Sequence, residues 1–367
     1  MNLNRDRLTR VQKVMQEKEF DYMLIGPTAN MNYFSGLMTS ADERLQLLII
    51  PAEGSPSALL PEMYIKAAEP VLGSDYNLAG WSDQKDPFKL LIEIIHGRAD
   101  RVAIDDTLRA DHFMGIGRVM TGAYFEPAST LVSRLRVYKD EQELELMHRA
   151  GQVSDRVMEI IMEKLRPGLS EKEVALTVEV EYKKLADDIS FKPIVASGPN
   201  AAMPHHSPGD RKLEKGDFVI IDSGALCNGY CSDITRTFCL GQASDEMRAV
   251  YTAVQKANFE PFQKLNQGSP LSGEAADEIA RQVITEAGFG SRFIHRLGHG
   301  IGLEVHEAPY LVEGNTEILE PGMAFTIEPG IYIPGSFGVR IEDTVAMTEK
   351  GARQLTSFNR NLIEVQV

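Results

Sequence analysis

The 367-residue sequence contains few cysteines, and its three, Cys227, Cys231 and Cys239, form no Cys-x-x-Cys pair. An odd number of cysteines without paired spacing excludes a disulfide framework and argues against a thiolate zinc site. Small buried hydrophobic side chains in strands are the simpler interpretation. At roughly 100–200 residues per domain, the length suggests two domains that each bury a core without covalent support.

Positive charge is also scarce. The sequence has 38 Lys and Arg against 53 Asp and Glu, which gives a formal net charge of -15. Because such a surface repels phosphate backbones and anionic headgroups, nucleic-acid and membrane partners are not expected. No apolar run approaches the roughly 18 residues that a membrane helix needs, and no signal-peptide core follows the start of the chain. We therefore expect a cytoplasmic protein.

Residues 1–135 alternate helical and extended patterns, which is typical of an α/β domain. Short apolar runs bounded by turn residues indicate its strands. The predicted strands are Asp21–Ile25, Leu47–Ile50, Ala58–Leu60 and Val102–Ile104. The two histidines of this domain, His96 and His112, stand alone. No catalytic group of residues is therefore predicted there.

Residues 139–367 are predicted to form an α+β domain with an internal duplication. Capping-box patterns at Asp140 and Ser170 start two helices, and the order of two helices followed by a strand pair then occurs twice. This order indicates helices packed on an antiparallel sheet. The predicted order is helices from 140 and 170, strands 218–222 and 233–238, helices 244–265 and 273–287, and strands 324–328 and 339–342.

The dipeptide Asn228-Gly229 lies between the first two of these strands and strongly favours a two-residue type I′ turn. Such a turn places Asp222 opposite Thr235. Asp222 and Asp233 then become diagonal neighbours on one face, about 7–8 Å apart at the backbone. Two carboxylates this close repel each other unless a cation lies between them. They are therefore candidate metal ligands, and two solvated carboxylates are the alternative.

The second strand pair carries Glu328 and Glu342 on either side of a turn region at Pro334-Gly335, with a register that this pattern leaves open. Three of the eight histidines fall within twelve residues between the two strand pairs: His295, His299 and His306. The glycine-rich segment around His299 lacks the Gly-x-Gly-x-x-Gly spacing of a phosphate loop, and the zincin motif His-Glu-x-x-His is absent.

Four carboxylates and one imidazole carry four negative charges, which two divalent cations would balance. Mostly oxygen ligands suit Mn, Co or Fe(II), although Zn is not excluded. Two ions roughly 3.5–4 Å apart can hold a bridging hydroxide and polarise a carbonyl at once. The pattern therefore predicts a hydrolase.

Residues 140–367 resemble the pita-bread metallopeptidases, the superfamily of prolidase, aminopeptidase P, methionine aminopeptidase and creatinase. Five segments in chain order carry the likeness: Ile221–Ala225, Ser232–Phe238, Gly298–Gly302, Ile327–Gly330 and Val339–Asp343. The resemblance implies a pita-bread domain preceded by a smaller α/β domain of the creatinase type. It also implies five metal ligands, of which Asp233 and Glu342 bridge the ions: Asp222, Asp233, His299, Glu328 and Glu342.

The resemblance implies further roles in catalysis and substrate binding. A family histidine lies in a Pro-His step seventeen residues before the first ligand aspartate, so His205 is preferred over His206. His306 resembles the histidine that hydrogen-bonds the tetrahedral intermediate, and Glu328 would also relay a proton from water to the leaving nitrogen. Arg340 would orient Glu342 or the substrate. The resemblance suggests these substrate contacts: His295, Arg340, Tyr332, and Phe191 and Val305 as walls of a proline pocket.

An N-terminal domain favours the proline-directed branch of the superfamily, since methionine aminopeptidases generally lack one. Compact length favours an Xaa-Pro dipeptidase, whereas an Xaa-Pro aminopeptidase acting on longer peptides is the alternative. Family dipeptidases often bind the substrate carboxylate with a basic residue shortly after the Val-His-Glu histidine, but Glu307–Glu320 contains no Lys or Arg.

Partners and cofactors also follow from the resemblance. It implies a small peptide substrate with proline at the second position, a homodimer, and two divalent ions, with manganese preferred over cobalt, zinc or iron. A non-enzymatic binding protein of this fold is less expected, because its members lack the full ligand set and all five ligands are present in this sequence.

Overall fold

The computed structural model describes residues 3–96 and 99–366. Contacts divide the chain into two compact units, Met1–Arg136 and Val137–Val367. The domain boundary expected from the sequence spans residues 135 to 139. None of the described helices is long and apolar enough to cross a membrane.

The first unit is an α/β domain. Its described residues form these elements: α1 (Leu3–Glu17), β1 (Tyr22–Ile25), α2 (Ala29–Ser35), β2 (Leu47–Pro51), β3 (Ser57–Pro61), α3 (Glu62–Leu72), β4 (Asn77–Trp81), α4 (Pro87–Ile94), β5 (Arg101–Ile104), α5 (Ala110–Val119), β6 (Tyr124–Pro127) and α6 (Ser129–Val137). The strands make one mixed sheet in the order β4-β3-β2-β1-β5-β6. The α/β class predicted for this region is confirmed.

The sheet of the first unit is parallel except around β2. Strands β1, β5 and β6 are mutually parallel, as are β3 and β4, while β2 runs antiparallel to β1 and β3. The apolar runs that predicted β1, β2, β3 and β5 are buried, because these inner strands have neighbours on both edges and form the core of the unit.

The second unit combines helices with several sheets that are mainly antiparallel. Its described residues form these elements: α7 (Glu141–Lys164), α8 (Glu171–Leu185), β7 (Asp188–Ile189), β8 (Ile194–Ser197), β9 (Phe218–Ser223), β10 (Ala225–Cys227), β11 (Tyr230–Cys231), β12 (Ile234–Leu240), α9 (Asp245–Asn266), α10 (Gly273–Glu286), β13 (Gly298–Gly300), β14 (Glu307–Leu311), β15 (Ala324–Ile327), β16 (Gly330–Ile333), β17 (Phe337–Arg340), β18 (Asp343–Thr348), β19 (Gly351–Gln354) and β20 (Ile363–Val365). The predicted α+β class is confirmed.

Each half of this unit places two helices before a strand pair. The capping boxes of α7 and α8 are formed as predicted, with the backbone N–H of Asp140 donating to the Glu143 carboxylate and that of Ser170 to the Glu173 carboxylate. Strands β9 and β12 lie in the sheet β20-β12-β9-β8, and β15 and β18 lie in the sheet β14-β13-β15-β18-β19. This repetition agrees with the predicted internal duplication.

The first hairpin has the predicted turn and register. Asn228 and Gly229 both have positive φ angles, 50° and 84°, which a type I′ turn requires. Asp222 pairs with Thr235, so the register deduced from the turn is correct. This register brings the two predicted aspartate ligands to one end of the sheet.

The second strand pair differs from the prediction. Strand β15 pairs with β18 and not with β17, while β16 and β17 form a separate hairpin around Pro334-Gly335. Glu328 follows β15 and Glu342 precedes β18, so both lie where the chain leaves the larger sheet. The sequence did not predict this arrangement, because breaks of only two or three residues separate the four short strands.

Candidate metal centre

A cavity of about 630 Å³ in the second unit contains all five predicted metal ligands in its wall. Its wall residues are Phe191, Ile194, Pro204, His205, Asp222, Asp233, His295, Arg296, His299, Val305, His306, Glu328, Arg340 and Glu342. Among the predicted site residues, Tyr332 lies outside this set and is buried, with 3% of its surface exposed. The folded chain therefore gathers segments separated by more than a hundred residues.

Strand ends from both halves of the unit present the predicted ligands. The positions are Asp222 in β9, Asp233 before β12, His299 in β13, Glu328 after β15 and Glu342 before β18. Thr235 and Glu342 form an isolated antiparallel bridge, in which the Glu342 N–H donates to the Thr235 carbonyl at 3.0 Å. This bridge joins the two sheets directly at the site.

Three of the predicted ligands form one compact group. Ligand atoms of Asp233, His299 and Glu342 all lie within 4.8 Å of one another, and the three residues are buried. His299 Nδ1 lies 3.0 Å from the Gly300 carbonyl oxygen, so this nitrogen carries the proton. His299 Nε2 then offers its lone pair 3.8 Å from Asp233 Oδ2 and 3.3 Å from Glu328 Oε1. Burial lowers the pKa of His299 to about 3, so the ring is neutral, as metal binding requires.

The carboxylates of the cluster are destabilised by their surroundings. Burial, with repulsion from neighbouring carboxylates, raises the pKa of Asp233 and Glu342 well above the usual range, and burial raises the pKa of Glu328 to about 7. Asp222 Oδ1 and Asp233 Oδ1 are buried without a hydrogen-bond partner. A divalent cation would satisfy these oxygens and favour the ionised carboxylates. The donor set therefore fits a metal ion.

Arg340 is buried and donates to protein groups on several sides. Its Nη2 donates to Asp222 Oδ2 at 2.6 Å, and its Nη1 donates to the Tyr332 hydroxyl at 2.9 Å and to the Pro204 carbonyl at 3.2 Å. Its Nε donates to Thr235 Oγ1 at 3.3 Å. Arg340 therefore holds Asp222 directly, and it reaches its predicted partner Glu342 through Thr235, whose Oγ1 donates to Glu342 Oε2 at 2.6 Å. Its charge leaves the four carboxylates with three net negative charges.

His295 and Tyr332, both predicted to bind substrate, form one hydrogen-bonded pair. His295 Nδ1 lies 2.8 Å from the Arg296 carbonyl, so the Tyr332 hydroxyl donates to His295 Nε2 at 2.9 Å. Burial lowers the pKa of His295 to about 4, so its ring is neutral. His295 lines the cavity, whereas Tyr332 lies outside the cavity wall and holds the His295 ring by this hydrogen bond.

The remaining predicted histidines lie at the cavity wall. The ring centroid of His306 is 4.3 Å from that of His299, and partial burial lowers the pKa of His306. His205 also lines the cavity. The neighbouring His206 instead places its Nε2 2.7 Å from Glu171 Oε2. Of the two adjacent histidines, His205 is thus the one beside the candidate ligands.

Arg296 is a wall residue that sequence reasoning missed. Its guanidinium lies over the ring of Tyr310, 4.6 Å from the ring centroid, and Tyr310 pairs with His299 between β13 and β14. The resemblance indicates a basic residue after His306, whereas Arg296 lies before His299. Its position next to His295 was the available signal.

The α+β fold and the buried carboxylate and histidine cluster define a pita-bread metallopeptidase. The chain belongs to metallopeptidase family M24, whose model matches residues 145–349, and the creatinase/prolidase N-terminal domain matches residues 7–138. The protein is therefore a metallopeptidase with the two-domain organisation implied by its sequence.

Several relatives that match nearly the whole chain are dipeptidases or prolidases by name, and a structure that matches equally fully is of an X-Pro aminopeptidase. A dipeptidase structure from Pyrococcus horikoshii is 41% identical with a TM-score of 0.92, covering 98% of this chain and 100% of that chain. A prolidase structure from Thermococcus sibiricus is 40% identical with a TM-score of 0.93, covering 100% of both chains. The probable dipeptidase PepE of Mycobacterium tuberculosis is 38% identical over 349 residues, covering 94% of this chain and 92% of the relative.

Proposed function

We propose that this metallopeptidase uses two divalent ions to hydrolyse the Xaa-Pro bond of dipeptides. The observation that carries the proposal is the pair of buried, unpartnered oxygens, Asp222 Oδ1 and Asp233 Oδ1, in one cavity with a neutral His299. The names of the similar proteins support the substrate class. Manganese is the preferred ion because most of the ligand atoms are oxygens, and cobalt, zinc and iron remain candidates.

The family resemblance supports a separate part for each proposed ligand. Asp233 and Glu342 would bridge the ions, Asp222 would complete one site, and His299 and Glu328 would complete the other. When bound, two such ions lower the pKa of a water molecule and polarise the substrate carbonyl. A donated hydrogen bond from Thr235 Oγ1 holds Glu342 Oε2 at 2.6 Å.

The chain's own side chains would move the proton and bind the substrate. Glu328 would take a proton from the attacking water as a general base and return it to the leaving nitrogen as a general acid. His306 would donate a hydrogen bond to the carbonyl oxygen under attack. His205 would donate a hydrogen bond to the substrate. Phe191 and Val305 supply apolar wall for the proline ring, beside His295.

We further propose that Arg296 binds the free carboxylate of the dipeptide. Arg340 is the other cation in the cavity wall, but it already donates to Asp222, Tyr332 and the Pro204 carbonyl. Arg296 lines the same wall and is stacked on Tyr310, which limits its orientations. A guanidinium held in this way suits planar, bidentate recognition of a carboxylate.

Substrate length tests the dipeptidase proposal directly. With manganese added, we expect Ala-Pro to be cleaved faster than Ala-Pro-amide and Ala-Pro-Ala, because only the free dipeptide presents a carboxylate directly after proline. Steady-state kinetics on the three substrates provide the measurement. Equal or better cleavage of Ala-Pro-Ala would instead support the alternative, an Xaa-Pro aminopeptidase, which the lack of a basic residue in Glu307–Glu320 favours.

Replacement of Arg296 tests the carboxylate contact. Arg296→Met should raise the KM for Ala-Pro about ten- to a hundredfold, since hydrogen bonds to charged groups contribute about 1.5–3 kcal/mol. The same variant should leave cleavage of Ala-Pro-amide nearly unchanged. Arg292→Met is the matched control, because Arg292 is exposed and outside the cavity wall. Equal losses on both substrates would contradict a carboxylate contact.

We also propose a homodimer, which the family resemblance supports. Light scattering coupled to size-exclusion chromatography tests this proposal. A particle of twice the 40.7 kDa chain mass is expected.

A further inference from the structure

Helix α9 carries a fully buried amide, Asn258, with 0% of its surface exposed. Its Nδ2 donates to the carbonyl oxygens of Ile327 at 2.7 Å and of Ile341 at 3.3 Å. These two residues directly precede Glu328 and Glu342. One side chain, distant in sequence from both segments, therefore contacts the backbone beside two proposed metal ligands.

The contact lies at the base of the β16–β17 hairpin, where the pairing of its two segments is interrupted. Gly330 pairs with Arg340 inside the hairpin, and the Ile341 N–H donates to the Pro329 carbonyl at 3.4 Å. Beyond this point β15 pairs with β18 instead. The Asn258 amide therefore spans a gap in the pairing of these two segments, at Glu328 and Glu342, where it can limit how far they separate.

The Asn258 amide satisfies two backbone carbonyls but leaves its own oxygen unsatisfied. Asn258 Oδ1 is buried without a hydrogen-bond partner, which is unfavourable in a core. An apolar side chain of similar volume would avoid that unpaired oxygen, but it would lose both N–H donors. What distinguishes Asn258 from such a residue is its pair of hydrogen bonds to the two ligand segments.

We propose that Asn258 is a positioning residue of the metal centre. By holding the carbonyls of Ile327 and Ile341 at one separation, its amide sets the spacing between the carboxylates of Glu328 and Glu342. Glu342 would bridge both ions and Glu328 would bind one, so a change in their spacing alters the geometry of the whole centre. This inference rests on the proposed two-ion function.

Cobalt titration of the full-length protein tests the proposal, because the visible spectrum of bound Co²⁺ reports ligand number and geometry independently of activity. Asn258→Leu and Asn258→Ala both remove the two donors, and leucine is nearly isosteric with asparagine. We expect the affinity for Co²⁺ to fall about 10–100-fold, as is typical when a group supporting metal ligands is lost. The spectrum of the loaded variants should also change. Thermal unfolding without metal should show no matching loss for Asn258→Leu.

Gln46→Leu provides the matched control. Gln46 is a buried amide of the first unit, 1% exposed, whose Nε2 donates to the Ser40 carbonyl at 3.0 Å and whose Oε1 is unpartnered. Gln46→Leu likewise removes a buried amide that donates to a backbone carbonyl. Gln46 is distant in sequence from the proposed ligands and belongs to a different unit. We expect wild-type Co²⁺ affinity and a wild-type spectrum for this variant.

Two results would overturn the positioning role, and they are distinguishable. If the wild type binds two ions and the Asn258 variants bind them with the same affinity and spectrum, Asn258 only fills the core. If the wild type binds no ion, the proposed two-ion function itself fails. Should Asn258→Leu not fold, Asn258→Ala carries the same measurement, because it removes both donors by shortening the side chain.

Discussion

Replacement of Asp233 by Asn is expected to abolish nearly all peptidase activity and most metal binding. Asp233 lies within 4.8 Å of His299 and Glu342 at its ligand atoms, and its Oδ1 is buried without a partner. An asparagine keeps the shape but removes the charge, and loss of a bridging carboxylate weakens both ion sites together. Metal content by mass spectrometry and turnover of Ala-Pro measure the two effects.

Two comparisons separate loss of metal from loss of fold. Burial and repulsion from Glu342 and Asp222 destabilise the Asp233 carboxylate, so the metal-free Asp233→Asn protein should unfold at or above the wild-type temperature. Asp222→Asn should retain one ion, since Asp222 would belong to one site only. Asp210→Asn is the surface control, because the Asp210 side chain is 88% exposed. Unchanged metal content and turnover in Asp233→Asn would exclude the two-ion assignment.

Local signals in the sequence predicted the parts of the fold that depend on neighbouring residues. The Asn228-Gly229 turn determined a register because only a two-residue loop with positive φ closes that hairpin. The capping boxes at Asp140 and Ser170 marked helix starts through contacts three residues apart. Such interactions can be deduced from the sequence, because both partners lie within one β-turn or within the first turn of a helix.

The edge strands and the β16–β17 hairpin were not predicted, because they lack a local signal of this kind. Strands β4 (Asn77–Trp81) and β6 (Tyr124–Pro127) lie at the edges of the first sheet and are largely half-buried or exposed, so they lack the apolar runs that marked the inner strands. The pairing of β15 with β18 depends on which of several short runs meet in space. Neither hydrophobic pattern nor turn chemistry specifies that choice.

The proposed ligands could be inferred from sequence because each lies in a short motif with a recognisable spacing. The partners of the supporting groups could not, although Arg340 itself was predicted as a site residue. Arg340 contacts Asp222 across 118 positions, and Asn258 contacts the Ile327 carbonyl across 69. An arginine in a strand and an asparagine in a helix carry no local sign of these partners. Their roles depend on how α9 and the hairpin β16–β17 pack around the cluster.

Replacement of His306 by Ala is expected to reduce turnover about a hundred- to a thousandfold while metal content stays near the wild-type value. Its proposed part is a hydrogen bond to the oxygen that gains charge in the transition state, and such donors contribute about 2.7–4 kcal/mol. The His306 ring packs 4.3 Å from that of His299, between centroids, but His306 is not itself a proposed ligand. Turnover of Ala-Pro and metal analysis of the same preparation test both statements.

His96→Ala is the control, since His96 is an exposed histidine of the first unit. It should leave both metal content and turnover unchanged. Separate measurement of kcat and KM for His306→Ala then distinguishes transition-state stabilisation from substrate binding. A donor that acts only on the developing charge lowers kcat and kcat/KM equally, whereas a substrate-binding group raises KM with kcat unchanged. A pure KM effect, or loss of the ions, would therefore assign His306 to binding or to the metal centre instead of to transition-state stabilisation.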